Sequence, residues 1–227
     1  MTEDLVSRLR RLDCCTVSDA LDQLGLEGVV SGLPRRSGSG AIAGRATTML
    51  LDVGPPAPGP VRHLGCAAIE ACGADGVIVI QQRAPIEAGC WGGLLTLAAK
   101  TGGVTGVVAD GLVRDVDEAA GLDFPIFARG VTARTARGRI AEKGVNTPVQ
   151  VMGRTVEPGD YVVADGSAVI FISAEVIERV LTAAETIAAR EQQMAAALRD
   201  GLAPSAVMGA AYEHLLNRPD GAGPPRA

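Results

Sequence analysis

Residues 92–130 read GGLLTLAAKTGGVTGVVADGLVRDVDEAAGLDFPIFARG, and this stretch decides the fold. Residues 92–100 place leucines and alanines at helical spacing after two glycines. Residues 104–109 and 125–128 are short, mostly apolar runs, which are typical of buried strands. Helices that alternate with buried strands are the mark of parallel α/β units, so the stretch predicts an α/β protein.

Upstream of this stretch, the apolar spacing predicts two short opening helices, at residues 5–12 and 16–25. The second has a T-x-x-D start at Thr16 and a terminating glycine at Gly25. The other elements predicted before residue 92 are a loop at 31–40, a strand at 41–51, an irregular loop at 52–60, a helix at 61–71 and a strand at 76–80.

Downstream of residue 130 the pattern changes to short strands separated by G-R and P-G-D turns, which predicts antiparallel hairpins. These strands are expected at 148–152, 161–164 and 168–172. A long C-terminal helix follows, with Ser173 as its predicted cap. We expect one domain over residues 1–216 and a disordered tail, rich in glycine and proline, over 217–227.

Composition excludes several functional classes. The chain has 227 residues, 26 acidic and 21 basic side chains and a net charge of −5, so it offers no basic surface for nucleic acid. Its five cysteines form no C-x-x-C pair, and neither of its histidines, His63 and His214, lies in a zinc or catalytic-triad motif. No apolar run is long enough to span a membrane. We therefore expect a reduced, cytoplasmic protein without nucleic-acid or membrane partners.

Two adjacent charged residues follow the apolar run at 104–109. We predict that this strand ends at Ala109 and that residues 110–115 form a loop at its carboxyl end, where open α/β sheets bind ligands. Arg114 would offer a planar fork to a substrate carboxylate, and Asp115 would offer a hard oxygen to Mg²⁺ or Mn²⁺. The alternative is structural: Asp115 caps the next helix and Arg114 forms a surface ion pair.

The glycine-rich start of the preceding helix is the second candidate element. Gly92, Gly93, Leu94 and Leu95 lie at a predicted helix N-terminus, where unpaired backbone N–H groups favour an anion. An ordinary flexible turn is the alternative interpretation.

These two elements, together with TVSDAL, AIAGRATT, FPIFARG and GVNTPVQVMGRTVEPGDYVVAD, resemble the RraA-like family. This family includes class II 4-hydroxy-4-methyl-2-oxoglutarate (4-carboxy-4-hydroxy-2-oxoadipate) aldolases and the regulator of RNase E activity. The resemblance implies a swivelling β/β/α domain, assembled as homotrimers or hexamers with sites near subunit interfaces. It also implies that residues 92–95 supply substrate-binding backbone, that Arg114 holds a pyruvyl carboxylate and that Asp115 ligates the metal.

The sequence departs from the family pattern beside these residues. Family aldolases have an Asp or Glu where this chain has Gly93, and that acid helps to hold metal-bound water. The bulky Trp91, after Cys90, lies next to the glycines, and the acidic segment after the P-G-D turn is altered around Asp165. In a trimer, Glu185 or Glu191 of the last helix is a candidate to reach a neighbouring subunit's site.

Three functions are consistent with these features. The first is a divalent-metal-dependent lyase of 2-oxo acids, which cleaves an aldol or releases CO₂ through a metal-stabilised enolate. The second is a noncatalytic regulatory binding protein, which the missing acid favours. The third is a biosynthetic enzyme, a cyclase or isomerase, that has repurposed the same pocket. Because retro-aldol cleavage needs a base and decarboxylation does not, Gly93 is expected to weaken the aldolase reaction more.

Overall fold

A computed structural model describes residues 4–56, 58–59 and 62–209 of the chain. The helices in these residues are α1 (Leu5–Leu9), α2 (Cys14–Leu24), α3 (Cys66–Ala71), α4 (Gly93–Thr101), α5 (Val116–Gly121), α6 (Ile177–Arg199) and α7 (Pro204–Val207). The strands are β1 (Val29–Val30), β2 (Arg35–Ser37), β3 (Ile42–Asp52), β4 (Gly76–Gln82), β5 (Gly89–Trp91), β6 (Gly106–Val113), β7 (Ile126–Val131), β8 (Ala141–Val145), β9 (Val149–Val151), β10 (Arg154–Val156), β11 (Tyr161–Ala164) and β12 (Val169–Ile172). The predicted tail at 217–227 and His214 lie outside the described residues.

The centre of the fold is a parallel sheet. Strands β3, β4, β6 and β7 lie side by side and run in the same direction, with Ile78 paired to Val107 and Val108 to Phe127. The paired apolar residues of β4 and β6 are almost completely buried, because helices α3, α4 and α5 cover one face of the sheet and the β9–β10 hairpin packs on the other. The predicted α/β architecture is therefore confirmed.

The second half of the chain adds antiparallel strands to one edge of this sheet. The strand order is β1-β12-β11-β3-β4-β6-β7-β2, with β5 paired to β6 and β8 paired to β3. Strands β9 and β10 form a separate antiparallel hairpin. This mixed sheet matches the predicted hairpins. The prediction of a loop at 31–40 is wrong in part, since β2 lies within this range and pairs with β7.

Several predicted helix boundaries are wrong, and local hydrogen bonds explain the shifts. Helix α2 begins at Cys14 and not at Thr16, because the Asp13 carboxylate accepts a hydrogen bond from the Thr16 N–H at 2.8 Å and caps the helix. Its predicted end is correct, with Gly25 in the left-handed conformation. Helix α3 begins only at Cys66, after Gly65 at φ +85°, so the predicted start at residue 61 is wrong.

The long C-terminal helix is present, but Ser173 does not cap it. The Ser173 hydroxyl accepts a hydrogen bond from the Glu175 N–H at 3.3 Å, in a turn that precedes α6. The apolar side of the helix packs on α2 and on the antiparallel strands through Ile177, Val180 and Leu181. No helix in the described part of the chain is long and apolar enough to cross a membrane.

Strand β6 continues four residues beyond its predicted end at Ala109. The strand includes Asp110, which is 5% exposed and which the sequence places in a loop. The buried carboxylate is satisfied there because it accepts hydrogen bonds from the Met152 N–H and the Arg129 guanidinium. The predicted loop at residues 110–115 is therefore wrong, and only Arg114 and Asp115 separate β6 from α5.

Candidate functional site

The six residues that the sequence singles out line one pocket of about 240 Å³. It lies where β5 leads into α4 and β6 leads into α5, at the carboxyl ends of two parallel strands. The residues are Gly92, Gly93, Leu94, Leu95, Arg114 and Asp115. The glycine-rich element and the Arg-Asp pair, separated by some twenty residues in the sequence, thus form one site in the fold.

Asp115 connects the two elements of the site. Its carboxylate oxygen Oδ2 accepts a hydrogen bond from the Gly93 N–H at 3.0 Å, so it satisfies the first amide of α4. The backbone of Asp115 is left-handed, with φ +56° and ψ +38°, which is uncommon for a residue with a side chain. Its side chain makes no capping hydrogen bond to α5. The alternative in which this carboxylate caps the following helix is therefore wrong.

The pKa of Asp115 lies below its ordinary value. Partial burial raises it, but the hydrogen bond from Gly93 and the adjacent guanidinium of Arg114 outweigh that effect. The carboxylate is therefore ionised at neutral pH, which is the state that a divalent cation requires.

Arg114 is held by hydrogen bonds at its backbone N–H and at its side-chain Nε. Its Nε–H donates to both carboxylate oxygens of Asp115, each at 3.1 Å, and its backbone N–H donates to the carbonyl of Trp91. The ion pair is partly exposed, as the structural alternative requires. Among the described residues, neither terminal nitrogen of the guanidinium has a hydrogen-bond acceptor, which leaves these donors available to a ligand carboxylate.

Bare glycine backbone makes room for the charged side chains. A Cβ at Gly89 would lie 3.0 Å from the Arg114 stem, and a Cβ at Gly92 would lie 2.8 Å from Asp115 Oδ2. Both distances are shorter than ordinary contacts between side-chain carbons and their neighbours. These glycines therefore allow Arg114 and Asp115 to rest directly against the main chain.

Glu118 occupies the space beside Gly93, a position that the sequence motifs did not indicate. A Cβ at Gly93 would lie 1.9 Å from Glu118 Oε2 and 3.3 Å from the Cβ of Asp115. The backbone of Gly93 is not left-handed, so the neighbouring carboxylate, and not backbone strain, is what a side chain there would meet. The available signal was the spacing of Asp115 and Glu118, since residues three apart share one side of a helical turn.

Trp91 is among the residues that line the pocket, and its side chain is buried beneath the glycine turn. It is 1% exposed, and its indole N–H donates to the Thr96 hydroxyl at 2.9 Å. That hydroxyl donates in turn to the Gly92 carbonyl at 3.0 Å. This chain of bonds fixes the glycine turn relative to α4. Cys90 is also fully buried, and burial raises the pKa of its thiol to about 12.

The acids predicted to act across a subunit interface have other neighbours in the chain. Both oxygens of Glu185 accept hydrogen bonds from Arg8 at 2.7 Å, so Glu185 is engaged within its own subunit. Glu191 lies near Asp13 and Asp19; burial and these acids raise its pKa. Asp165 accepts a hydrogen bond from the Cys14 N–H at 2.9 Å, at the start of α2.

His63 lies nearer to the site than the sequence indicates, because it lines the same pocket. Partial burial and the positive charge of Arg137 lower its pKa, so the imidazole is neutral at pH 7. The described residues hold no group of three or more His, Cys, Asp or Glu side chains arranged for a metal ion. A cation here would take one or two protein carboxylates, Asp115 and Glu118, and water for the remainder, as Mg²⁺ commonly does.

The sheet order and this pocket define an α/β protein with a charged site at the carboxyl ends of its parallel strands. A family model described as "RraA-like: Aldolase/RraA" matches residues 14–171. The chain therefore belongs to the RraA-like family.

Individual relatives agree with this assignment. The chain is 30% identical over 199 residues to a protein of Halalkalibacterium halodurans named "Putative 4-hydroxy-4-methyl-2-oxoglutarate aldolase", covering 88% of this chain and 90% of that one. It is 28% identical over 198 residues to protein DlpA of Legionella pneumophila; these cover 87% of this chain but only 32% of that longer protein.

A solved structure has the same fold. It is RraAS2 of Streptomyces coelicolor, described as an unusual member of the RNase ES inhibitor RraA protein family, and it superimposes with a TM-score of 0.73 at 25% identity. The match covers 85% of this chain and 96% of that chain.

Proposed function

We propose that the protein is a divalent-metal-dependent lyase of 2-oxo acids. The observation that carries the proposal is the convergence of Arg114, Asp115 and the N-terminus of α4 on one pocket. The aldolase name of a relative that is 30% identical over nearly its whole length supports the same class of reaction.

Arg114 and α4 would bind the acid group of the substrate. The terminal nitrogens of Arg114 match the two oxygens of a carboxylate. The first amide of α4 is satisfied by Asp115, but no described acceptor satisfies the amides of Leu94 and Leu95. Together with the positive end of the helix dipole, these donors favour an anion over a neutral ligand.

Asp115, with Glu118 beside it, would hold Mg²⁺ or Mn²⁺. The donor set fits a hard cation, because both groups are carboxylates and Asp115 is ionised at neutral pH. The cation would supply an electron sink for the enolate that forms as a carbon–carbon bond breaks.

Glu118 bears on the choice between the two lyase reactions. Retro-aldol cleavage needs an acceptor for the hydroxyl proton, and position 93 supplies none because it is glycine. Glu118 does not itself line the pocket, but its carboxylate occupies the space beside Gly93, which does, so an acidic side chain lies next to the pocket as a candidate for this task. We therefore propose that aldol cleavage and oxaloacetate-type decarboxylation both proceed at this site.

A screen of 2-oxo acids with added Mg²⁺ or Mn²⁺ tests this function. We expect release of pyruvate from 4-hydroxy-4-methyl-2-oxoglutarate and of CO₂ from oxaloacetate, above the rate of the metal alone. Arg114→Lys keeps the charge but loses the fork, so it should weaken binding of oxalate, a pyruvate-like anion. Unchanged oxalate affinity in this variant, or no product from any 2-oxo acid, would contradict the proposal.

A noncatalytic binding protein is the second candidate. It is favoured by the ion pair between Arg114 and Asp115, in which the two charges offset each other without any ligand, and by the likeness to a member of the RNase ES inhibitor family. A noncatalytic binding protein would be folded and would release no product when metal is added. Metal binding without release of pyruvate or CO₂ would instead favour a repurposed biosynthetic enzyme.

A further inference from the structure

Two buried polar side chains beneath the glycine turn have no part in the lyase proposal. Thr96 is completely buried, and its hydroxyl accepts the indole N–H of Trp91 and donates to the Gly92 carbonyl. On the other side of the same peptide group, the Gly93 N–H donates to Asp115 Oδ2. A single peptide group therefore connects the buried hydroxyl to the carboxylate of the pocket.

The hydrogen bonds in this connection all point the same way. The indole donates to the hydroxyl, the hydroxyl donates to the carbonyl, and the N–H of the same peptide group donates to the carboxylate. Bonds aligned in this way polarise one another, and the buried surroundings of Trp91 and Thr96 strengthen them. The aligned bonds thus make the Gly93 N–H a better donor to Asp115.

Helix α4 does not require the Thr96 hydroxyl. The Gly92 carbonyl already accepts the Thr96 N–H at 2.9 Å, which is the ordinary bond of a first helical turn. The hydroxyl adds a second bond to the same carbonyl at 3.0 Å. Because glycine restricts its backbone less than any other residue, the peptide group between Gly92 and Gly93 has little else to fix its plane. The second bond fixes it.

Asp115 depends on such a fixed neighbour. Left-handed backbone in a residue with a side chain costs free energy and persists only where surrounding groups hold it. The Gly93 N–H is one of these groups, and the Arg114 guanidinium is another. Trp91 also holds Arg114, since its carbonyl accepts the Arg114 N–H at 2.9 Å. Trp91 therefore acts on both charged residues of the pocket.

We propose that Trp91 and Thr96 are positioning residues, which fix the Gly92–Gly93 peptide group so that Asp115 keeps its carboxylate in place for a divalent cation. The part of this inference that concerns the cation rests on the proposed function, whereas the hold on Asp115 does not. Both side chains act through Gly93 and do not bind the cation themselves.

A set of variants isolates the hydroxyl. Thr96→Val removes it and keeps the shape of the side chain, and Thr96→Ser keeps it. The double variant Trp91→Phe/Thr96→Val also removes the indole N–H, so it does not leave that donor buried and unpaired. Thr101→Val is the matched control, because the Thr101 hydroxyl makes the same kind of bond, to the Leu97 carbonyl at 2.8 Å, at the other end of α4. Urea unfolding checks that each variant is folded.

Two measurements report the hold on Asp115. Calorimetric titration with Mn²⁺ should show about 10-fold weaker binding in Thr96→Val and in the double variant, the lower end of the range for groups that orient a metal ligand. In the metal-free protein, the NMR resonance of the Gly93 amide proton should move upfield in the same two variants, because its bond to the carboxylate weakens. Thr96→Ser and Thr101→Val should match the wild-type protein in both measurements.

The outcomes separate this inference from the proposed function. Unchanged Mn²⁺ affinity or an unmoved Gly93 resonance in the double variant would overturn the positioning role and leave the lyase proposal intact. A loss that Thr101→Val shares, or that the double variant does not share with Thr96→Val, would also overturn it. If the wild-type protein binds no Mn²⁺, the lyase proposal fails, and the Gly93 resonance alone decides whether Trp91 and Thr96 hold Asp115.

Discussion

Replacing Gly93 by aspartate should destabilise the protein only while Glu118 is present. A Cβ at position 93 would lie 1.9 Å from Glu118 Oε2, so the glutamate must leave its position. Moving it off its preferred rotamer costs about 0.5–1.5 kcal/mol. Two carboxylates about 4 Å apart repel by about 1 kcal/mol in water, the appropriate limit because Glu118 is exposed.

These two terms predict a coupling of about 1.5–2.5 kcal/mol between positions 93 and 118. An acid in the first turn of α4 also gains about 0.3–1 kcal/mol from the helix dipole, but this gain is the same with or without Glu118. The single variant should therefore be destabilised, and Gly93→Asp should be neutral or stabilising in a Glu118→Ala background. For a chain of this size, 1 kcal/mol corresponds to about 2–4 °C in Tm.

A double-mutant cycle measured by thermal and urea unfolding tests this coupling. Gly40→Asp is the control, since a Cβ there would meet nothing within 4 Å, and it should show no coupling to Glu118→Ala. Effects of the two site changes that add within about 0.5 kcal/mol would refute the reasoning. In the aldolase assay, Glu118→Ala should lose about 10²- to 10⁴-fold in turnover, and adding Gly93→Asp should recover part of it.

Four further experiments test the metal site, the buried tryptophan, the raised pKa of Asp19 and the oligomeric state. Asp115→Ala should abolish Mn²⁺ binding in calorimetry, and unchanged binding would move the metal site elsewhere. Trp91→Phe removes the hydrogen bond to buried Thr96 and should cost about 1–3 kcal/mol in urea unfolding; an unchanged midpoint would show that the bond contributes nothing. Burial and neighbouring acids raise the pKa of Asp19 above 3.8, so its charged form destabilises the fold as the pH rises through and above that value. Asp19→Asn should therefore raise Tm at pH 7 and leave it unchanged at pH 3, and the reverse pattern would contradict that sign. Light scattering should give a homotrimer or hexamer, with the 83% exposed Leu94 as a candidate contact, and a monomeric mass would remove the interface model.

The elements that the sequence predicts correctly are those with a periodic apolar pattern. Helix α4 and the buried strands β3, β4 and β7 lie close to their expected bounds, because their apolar spacing reflects burial that the fold imposes. The helix boundaries fail at local caps and turns that the apolar pattern does not show, such as Asp13 before α2 and Gly65 before α3, whereas the end of β6 depends on residues far away in the sequence. Asp110 lies within strand β6, where it pairs with Gln81 and its carboxylate accepts hydrogen bonds from Met152 and Arg129, and local sequence contains none of these contacts.

The residues of the candidate site also fall into those that the sequence predicts and those that only the fold brings together. Arg114, Asp115 and the glycine-rich helix start are adjacent or periodic in the sequence, and the structure places them in one pocket. Glu118 and Arg137 have ordinary surface patterns, so only the fold reveals that one lies against Gly93 and the other lines the pocket. Their positions depend on distances across elements, which spacing along the chain cannot supply.

The bare backbone beneath the charged side chains has a consequence for transferring the site to another protein. Gly89, Gly92 and Gly93 leave open the space that the side chains of Arg114, Asp115 and Glu118 occupy against the main chain. If Arg114 and Asp115 were copied onto a scaffold with alanine at those three positions, the alanine Cβ atoms would occupy the space that these side chains need. A design that transfers this site must therefore transfer the three glycines together with the charged side chains.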